Sequence, residues 1–140
     1  MSRIIALILF APVTFALLSM ANVPEAPPKM QGPRLVIAEQ VCNLGEVSDE
    51  KPVRTAKFVV RNEGTEALVI TEAATSCGCV SVKHPARPIK PGAKAEVKLV
   101  YDGTAQSPGR FKKTITLFSN DVRRYTRIFI TGKRVSPNAL

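Results

Sequence analysis

Cys77 and Cys79 stand one residue apart around Gly78, in the run Thr75-Ser76-Cys77-Gly78-Cys79, and they are the residues whose type and spacing most readily do chemistry. Two thiols this close can close a disulfide ring around Gly78, which has no Cβ to clash. As thiolates they could instead hold a soft ion such as Cu(I), with Cys42 or His84 supplying a third ligand. Zinc in a structural site takes four protein ligands, and a chain with three cysteines and one histidine reaches four only by enlisting both Cys42 and His84. A second disulfide option joins Cys42 to Cys77 or Cys79 and leaves one thiol over. Redox exchange is the fourth chemistry, although the usual CxxC at a helix start is absent. His84 beside Pro85 reads as an ordinary loop histidine. No Gly-rich phosphate loop, metal-binding helix or nucleophile motif is present, so the sequence points to no enzyme. No resident cofactor is expected beyond that candidate copper.

The start of the chain sets the redox setting of these thiols. Met1-Ser2-Arg3 is a short basic segment, Ile4 to Leu18 is uncharged and mostly apolar, and Ser19-Met20-Ala21 supplies small residues for cleavage. That layout is a secretory signal peptide over 1–21. The apolar run is short for a membrane span of about 20 residues, and Pro12 interrupts it, so no stable span is expected after cleavage; an uncleaved N-terminal anchor is the alternative. Residues 22–33 contain Pro24, Pro27, Pro28 and Pro33 and read as an extended linker. The chain is therefore expected in the periplasm or cell envelope, where free thiols tend to pair.

The elements that must position the cysteines are strands. Val53 to Arg61 alternates, with Ala56, Phe58 and Val60 on one face, and Asn62-Glu63-Gly64 is a turn in which glycine is free to take positive φ. Arg34 to Leu44 forms a first strand, with a break near Glu39-Gln40 and with Cys42 and Leu44 on one face. Ala67 to Thr71 leads into the cysteine loop and Val80 to Val82 leaves it. Pro85, Pro88 and Pro91 exclude regular structure between His84 and Gly92. Ala95 to Tyr101, Phe111 to Ser119 and Arg124 to Thr131 alternate again. About seven short strands and no helix outside the leader predict an all-β fold, a single antiparallel immunoglobulin-like β-sandwich over 34–135 followed by a tail at 136–140. With no Trp, the tryptophan-cysteine core of antibody domains is absent.

The formal net charge of +9 is placed unevenly. Residues 22–82 carry six Lys/Arg against eight Asp/Glu, whereas residues 83–134 carry thirteen against three. The second-half basic residues Arg110, Lys112, Lys113, Arg123, Arg124 and Arg127 form a candidate surface for an acidic protein or an anionic envelope polymer. Export argues against nucleic acid as the partner.

Several of these segments together resemble one family. Asn62-Glu63-Gly64, Ala67-Leu68-Val69-Ile70, Thr75-Ser76-Cys77-Gly78-Cys79, Pro88-Ile89-Lys90-Pro91-Gly92, Phe111-Lys112-Lys113-Thr114-Ile115 and Ser119-Asn120-Asp121 are similar, in order, to the bacterial DUF1573 family. The resemblance covers roughly Val41 to Arg134. It implies an exported immunoglobulin-like sandwich akin to the major-sperm-protein and ASPM-SPD2-Hydin modules, with no established activity. This chain has Cys42-Asn43-Leu44-Gly45 where the family reads like Phe-Asp-Phe-Gly, so Cys42 stands at an aromatic position outside the shared motif.

Overall fold

The structure, a computed structural model, describes residues 31–136; the leader, most of the linker and the end of the tail lie outside the described residues. Within them the chain forms β1 (Leu35–Ile37), β2 (Val41–Val47), β3 (Val53–Asn62), β4 (Ile70–Thr75), β5 (Val80–Lys83), β6 (Lys94–Asp102), β7 (Gly109–Ser119) and β8 (Tyr125–Arg134). They make two four-stranded sheets, ordered β1-β3-β6-β5 and β2-β8-β7-β4. Alternation produces the two layers. Ala56, Phe58 and Val60 of β3, Val97, Leu99 and Tyr101 of β6, Ile115 and Leu117 of β7, and Ile128 and Ile130 of β8 are buried between the sheets, and their odd-numbered or even-numbered neighbours face out. Tyr101 stacks on Phe111 across the core, with ring centroids 4.4 Å apart.

Two details differ from the expected pattern. The first strand divides at Ala38–Gln40, because the chain leaves the first sheet there and joins the second, which makes eight strands. Since the crossing does not reverse its direction, β2 runs parallel to β8, and the second sheet is mixed rather than antiparallel. The strand expected at Ala67–Thr71 begins later and runs on to Thr75. The Asn120 side chain takes the pairing position beside its start: it accepts from Val69 N–H at 2.8 Å and donates to the Ala67 carbonyl at 3.0 Å. Leu68 makes only a single bridge, to Ile89.

Buried polar side chains lock these crossings. Asn62 spends its whole amide, accepting from Arg34 and Gly64 N–H and donating to the Glu66 and Ile89 carbonyls. Gly64 is needed for close approach rather than for positive φ, since a Cβ there would lie 2.0 Å from the Gly32 carbonyl oxygen. Arg134, 4% exposed, donates to the carbonyls of Gly103 and Val47 and to the Asp49 carboxylate, joining the ends of β8 and β2.

Asp121 is the corresponding clasp at the opposite corner. It is 2% exposed and accepts from Leu35 N–H at 2.6 Å and from Arg123 N–H at 2.9 Å. The Arg123 guanidinium bonds the same carboxylate and the Leu35 carbonyl. Burial alone would raise the Asp121 carboxyl, but the two N–H bonds and the guanidinium outweigh it and hold the pKa below the ordinary 3.8. A carboxyl lowered in the folded state stabilises the fold above its unfolded pKa, and that contribution is lost as pH falls through the folded value. Asp121→Ala should therefore cost about 2–4 kcal/mol in urea unfolding at pH 7. It should also flatten the decline in stability below about pH 4; a variant as stable as the parent at both pH values would refute this role for Asp121.

Candidate functional site

The cysteine pair sits where the chain crosses between sheets. β4 is the edge of the second sheet, and its last residue, Thr75, pairs with Ile115. Ser76 holds on to β7 for one more step, donating its N–H to the Thr114 carbonyl and accepting from Thr114 N–H on its hydroxyl, both at 3.0 Å. Cys77, Gly78 and Cys79 then turn the chain toward the first sheet. There Asp102 N–H meets the Cys79 carbonyl at 2.8 Å and β5 begins. Thr75 Oγ1 and Val80 N–H both donate to the Cys77 carbonyl, which fixes the turn from within.

Cys77 and Cys79 form a disulfide, with Cα atoms 5.2 Å apart. Both are half-buried, Gly78 is exposed, and Cys79 N–H lies 3.2 Å from Cys77 Sγ. Cys42 is a free thiol on β2, packed against the core alongside Leu44 as their shared parity required. It is not near the pair: β2 and β4 are opposite edges of one sheet, three strand spacings or about 14 Å apart. A bridge from Cys42 to either cysteine is thus ruled out, since a disulfide tolerates at most about 7 Å between Cα atoms. His84 follows β5, so five residues of nearly extended chain, about 16 Å, separate it from Cys79; its ring Nδ1 lies 3.3 Å from the Pro85 carbonyl. The four donors do not converge, and no group of three or more metal-binding side chains occurs among the described residues. A soft ion would have only the two sulfurs, and only after reduction of the disulfide.

The six basic residues fall into separate environments. Arg110, Lys112 and Arg127 face outward on β7 and β8. Lys112 Nζ lies 4.4 Å from the Phe129 ring centroid and the Arg127 guanidinium 5.1 Å from that of Tyr125. Phe118 tilts against Tyr125 at 6.5 Å. Arg124 is exposed in the β7–β8 turn at φ 63°. Lys113 has the inward parity of Ile115, is half-buried and reaches Gln106 Oε1 at 3.4 Å. Arg123 is occupied in the Asp121 clasp, so reversing its charge would test stability more than binding. Selecting residues by charge missed the aromatic residues Phe118, Tyr125 and Phe129, which share the outer face, and Lys133 on the same face was left out of the basic set. The alternation Tyr125-x-Arg127-x-Phe129 was the signal for them. Arg110 and Lys133 stand directly opposite each other across β7 and β8, and only Lys133 has an acidic neighbour, Glu46 at 3.7 Å.

One antiparallel and one mixed sheet, joined by strands that change sheet, define an immunoglobulin-like β-sandwich. The chain belongs to the DUF1573 family, described as protein of unknown function, whose model matches residues 35–134. Among solved structures it is similar to a protein of unknown function from Porphyromonas gingivalis W83, with TM-score 0.65, 18% identity, and coverage of 80% of this chain and 51% of that one. The chain thus spans about half the length of that protein. The ASH/PapD-like domain 7 of human CEP192 matches with TM-score 0.61 and 8% identity over 86% of this chain and 97% of that one. The periplasmic chaperone SfaE matches with TM-score 0.50 and 8% identity over 75% and 59%. At these identities the likeness is one of fold. No curated protein matches the chain.

A disulfide between residues two apart cross-links no distant elements, and its loop-entropy contribution is about 1.6 kcal/mol, half that of a 15-residue loop. Replacing Cys77 and Cys79 together by Ser should therefore lower unfolding stability by no more than about 2 kcal/mol and leave the β-sheet circular dichroism unchanged. Global unfolding of the double variant would show that the bridge is essential to the fold. Copper retained by reduced protein and lost in that variant would establish the soft-metal chemistry.

Proposed function

We propose that this chain is a non-catalytic, exported binding module of the cell envelope, and that the outer face of β7 and β8 captures an acidic segment of a partner protein. The observation that carries the reading is the pairing of cations with aromatic rings on that face: Lys112 over Phe129 and Arg127 over Tyr125. A cation held against a ring loses part of its water and keeps a fixed direction, so a carboxylate approaching it replaces less solvent. Phe118 and Tyr125 are exposed beside them and supply flat apolar area. The signal-peptide layout supports export, and the fold shared with a periplasmic chaperone agrees with a protein-binding role.

Titration with fluorescent poly-L-glutamate tests the reading. The double change Lys112→Glu and Arg127→Glu should weaken binding at least tenfold at low salt and flatten its salt dependence. The charge-matched pair Lys94→Glu and Lys98→Glu, on the outer face of the first sheet, should have a much smaller effect. Equal losses in the two variants would mean that net charge alone attracts the anion, and the assignment of this face would fall.

A further inference from the structure

We propose that the slot between β2 and β3 accepts an extended segment of a partner protein as an added strand of the first sheet. The segment would carry an acidic side chain flanked by two aliphatic ones, one on each side. This site lies on another side of the sandwich and does not rest on the cation–aromatic face.

The slot exists because β1 leaves the sheet early. β1 pairs with β3 only from Val60 to Asn62, whereas β6 pairs with β3 from Val53 to Arg61. Among the described residues, β3 therefore has a strand neighbour on one side only from Val53 to Val59. Glu63 N–H bonds toward β1, at the Arg34 carbonyl, and Asn62 bonds toward the β6 side, at Ala93 and Gly92. Backbone direction alternates along a strand, so Thr55 and Lys57 turn their N–H and C=O groups to the open side. Facing them, Phe129 N–H bonds the Gln40 carbonyl, which sets Gln40 and Cys42 toward β8 and turns the backbone of Val41 toward the slot.

Between the two banks lies a hollow of about 260 Å³, with Ala38, Val41, Cys42, Phe58 and Val59 contributing its apolar lining. That is smaller than the ordinary small-molecule pocket of about 300–1,000 Å³ and suits inserted side chains. Arg54 closes the lower end by donating to the Glu46 carbonyl at 3.0 Å, and the Ala38–Gln40 crossing closes the upper end. Val41 and Val59 are 53% and 52% exposed on its rims, an unusual cost for aliphatic residues beside an unpaired sheet edge.

The chemistry of the occupant follows from register. A strand laid antiparallel along Thr55–Val59 spans about 17 Å, or five residues. Side chains opposite Ala56 and Phe58 point inward over the hollow, which calls for aliphatic residues. The side chain between them stands on the outer face opposite Lys57, where a carboxylate is complementary. Lys57 is exposed and has only a loose surface pairing, with Glu96 at 3.7 Å.

The probe is the peptide Ac-Glu-Val-Glu-Val-Glu-NH2, with a control methylated on the central Glu amide, which would otherwise donate to the Lys57 carbonyl. In NMR titrations of the mature protein, the peptide at millimolar concentration should shift the Thr55 and Lys57 amides and slow their exchange at least tenfold. It should also slow alkylation of Cys42 several-fold. Lys57→Glu should weaken both effects, and the methylated control should produce neither. The Lys112→Glu, Arg127→Glu protein should still bind at β3, so the two sites succeed or fail separately. Equal binding of the methylated control, shifts confined to β7 and β8, or unmoved Thr55 and Lys57 amides would overturn the proposal. So would sedimentation showing that a second copy of the chain already occupies this edge.

Discussion

The bond from Leu35 N–H to Asp121 determines how the chain can enter this sandwich. β1 has three residues and pairs with β3 on one side only, too little to hold a strand in place by ladder bonds. Asp121 and Arg123, from the β7–β8 turn of the other sheet, bond the N–H and C=O of Leu35 on its far side. The carboxylate is buried, and a buried charge survives only where such donors surround it. With β1 anchored between the layers, the chain can cross at Ala38–Gln40 and continue in the second sheet as β2. The open length of β3 is a direct consequence of that crossing.

A second crossing, at Ser76–Cys79, mirrors the first on the opposite side of the sandwich. The two differ in how they are held. The first relies on Asp121 and Arg123, which hold Leu35 from a turn 86 to 88 positions away in sequence. The second relies on local contacts, with Ser76 on Thr114, Thr75 and Val80 on the Cys77 carbonyl, and a disulfide that spans two residues. Locality is the reason the most distinctive stretch of the sequence is expected to contribute modestly to stability. The bridge shapes a corner, and the hydrogen bonds around it already connect the sheets. The remaining candidates do not join it, because Cys42 lies on the opposite edge of the second sheet and His84 beyond the far end of β5.

Much of the architecture was legible residue by residue. The alternation in Val53–Arg61, Ala95–Tyr101 and Phe111–Ser119 assigned core and surface correctly, because side-chain direction in a strand is a local property. Lys113 was misplaced among the outward cations although its parity with Ile115 already turned it inward. The turn at Asn120-Asp121 was legible too, but its reach was not. Asn120 bonds Ala67 and Val69, and Asp121 bonds a residue 86 positions away. Gly64 shows the same limit, since the reason for glycine there is the nearness of Gly32 rather than its own dihedral angles.

The cysteine pair illustrates the division between the two kinds of information. By itself the sequence determined most strand positions and the closeness of Cys77 to Cys79, because each depends on residues within a few positions of one another. The order of its motifs pointed to the sandwich and the family. Only the tertiary structure decided that Cys42 lies about three strands away from them. It also decided that His84 stands beyond the far end of β5, and that Lys112 and Arg127 rest on aromatic rings. Those outcomes depend on strand order and register, which are set by long-range backbone pairing and buried clasps. No pattern within a single strand encodes which edge it will occupy.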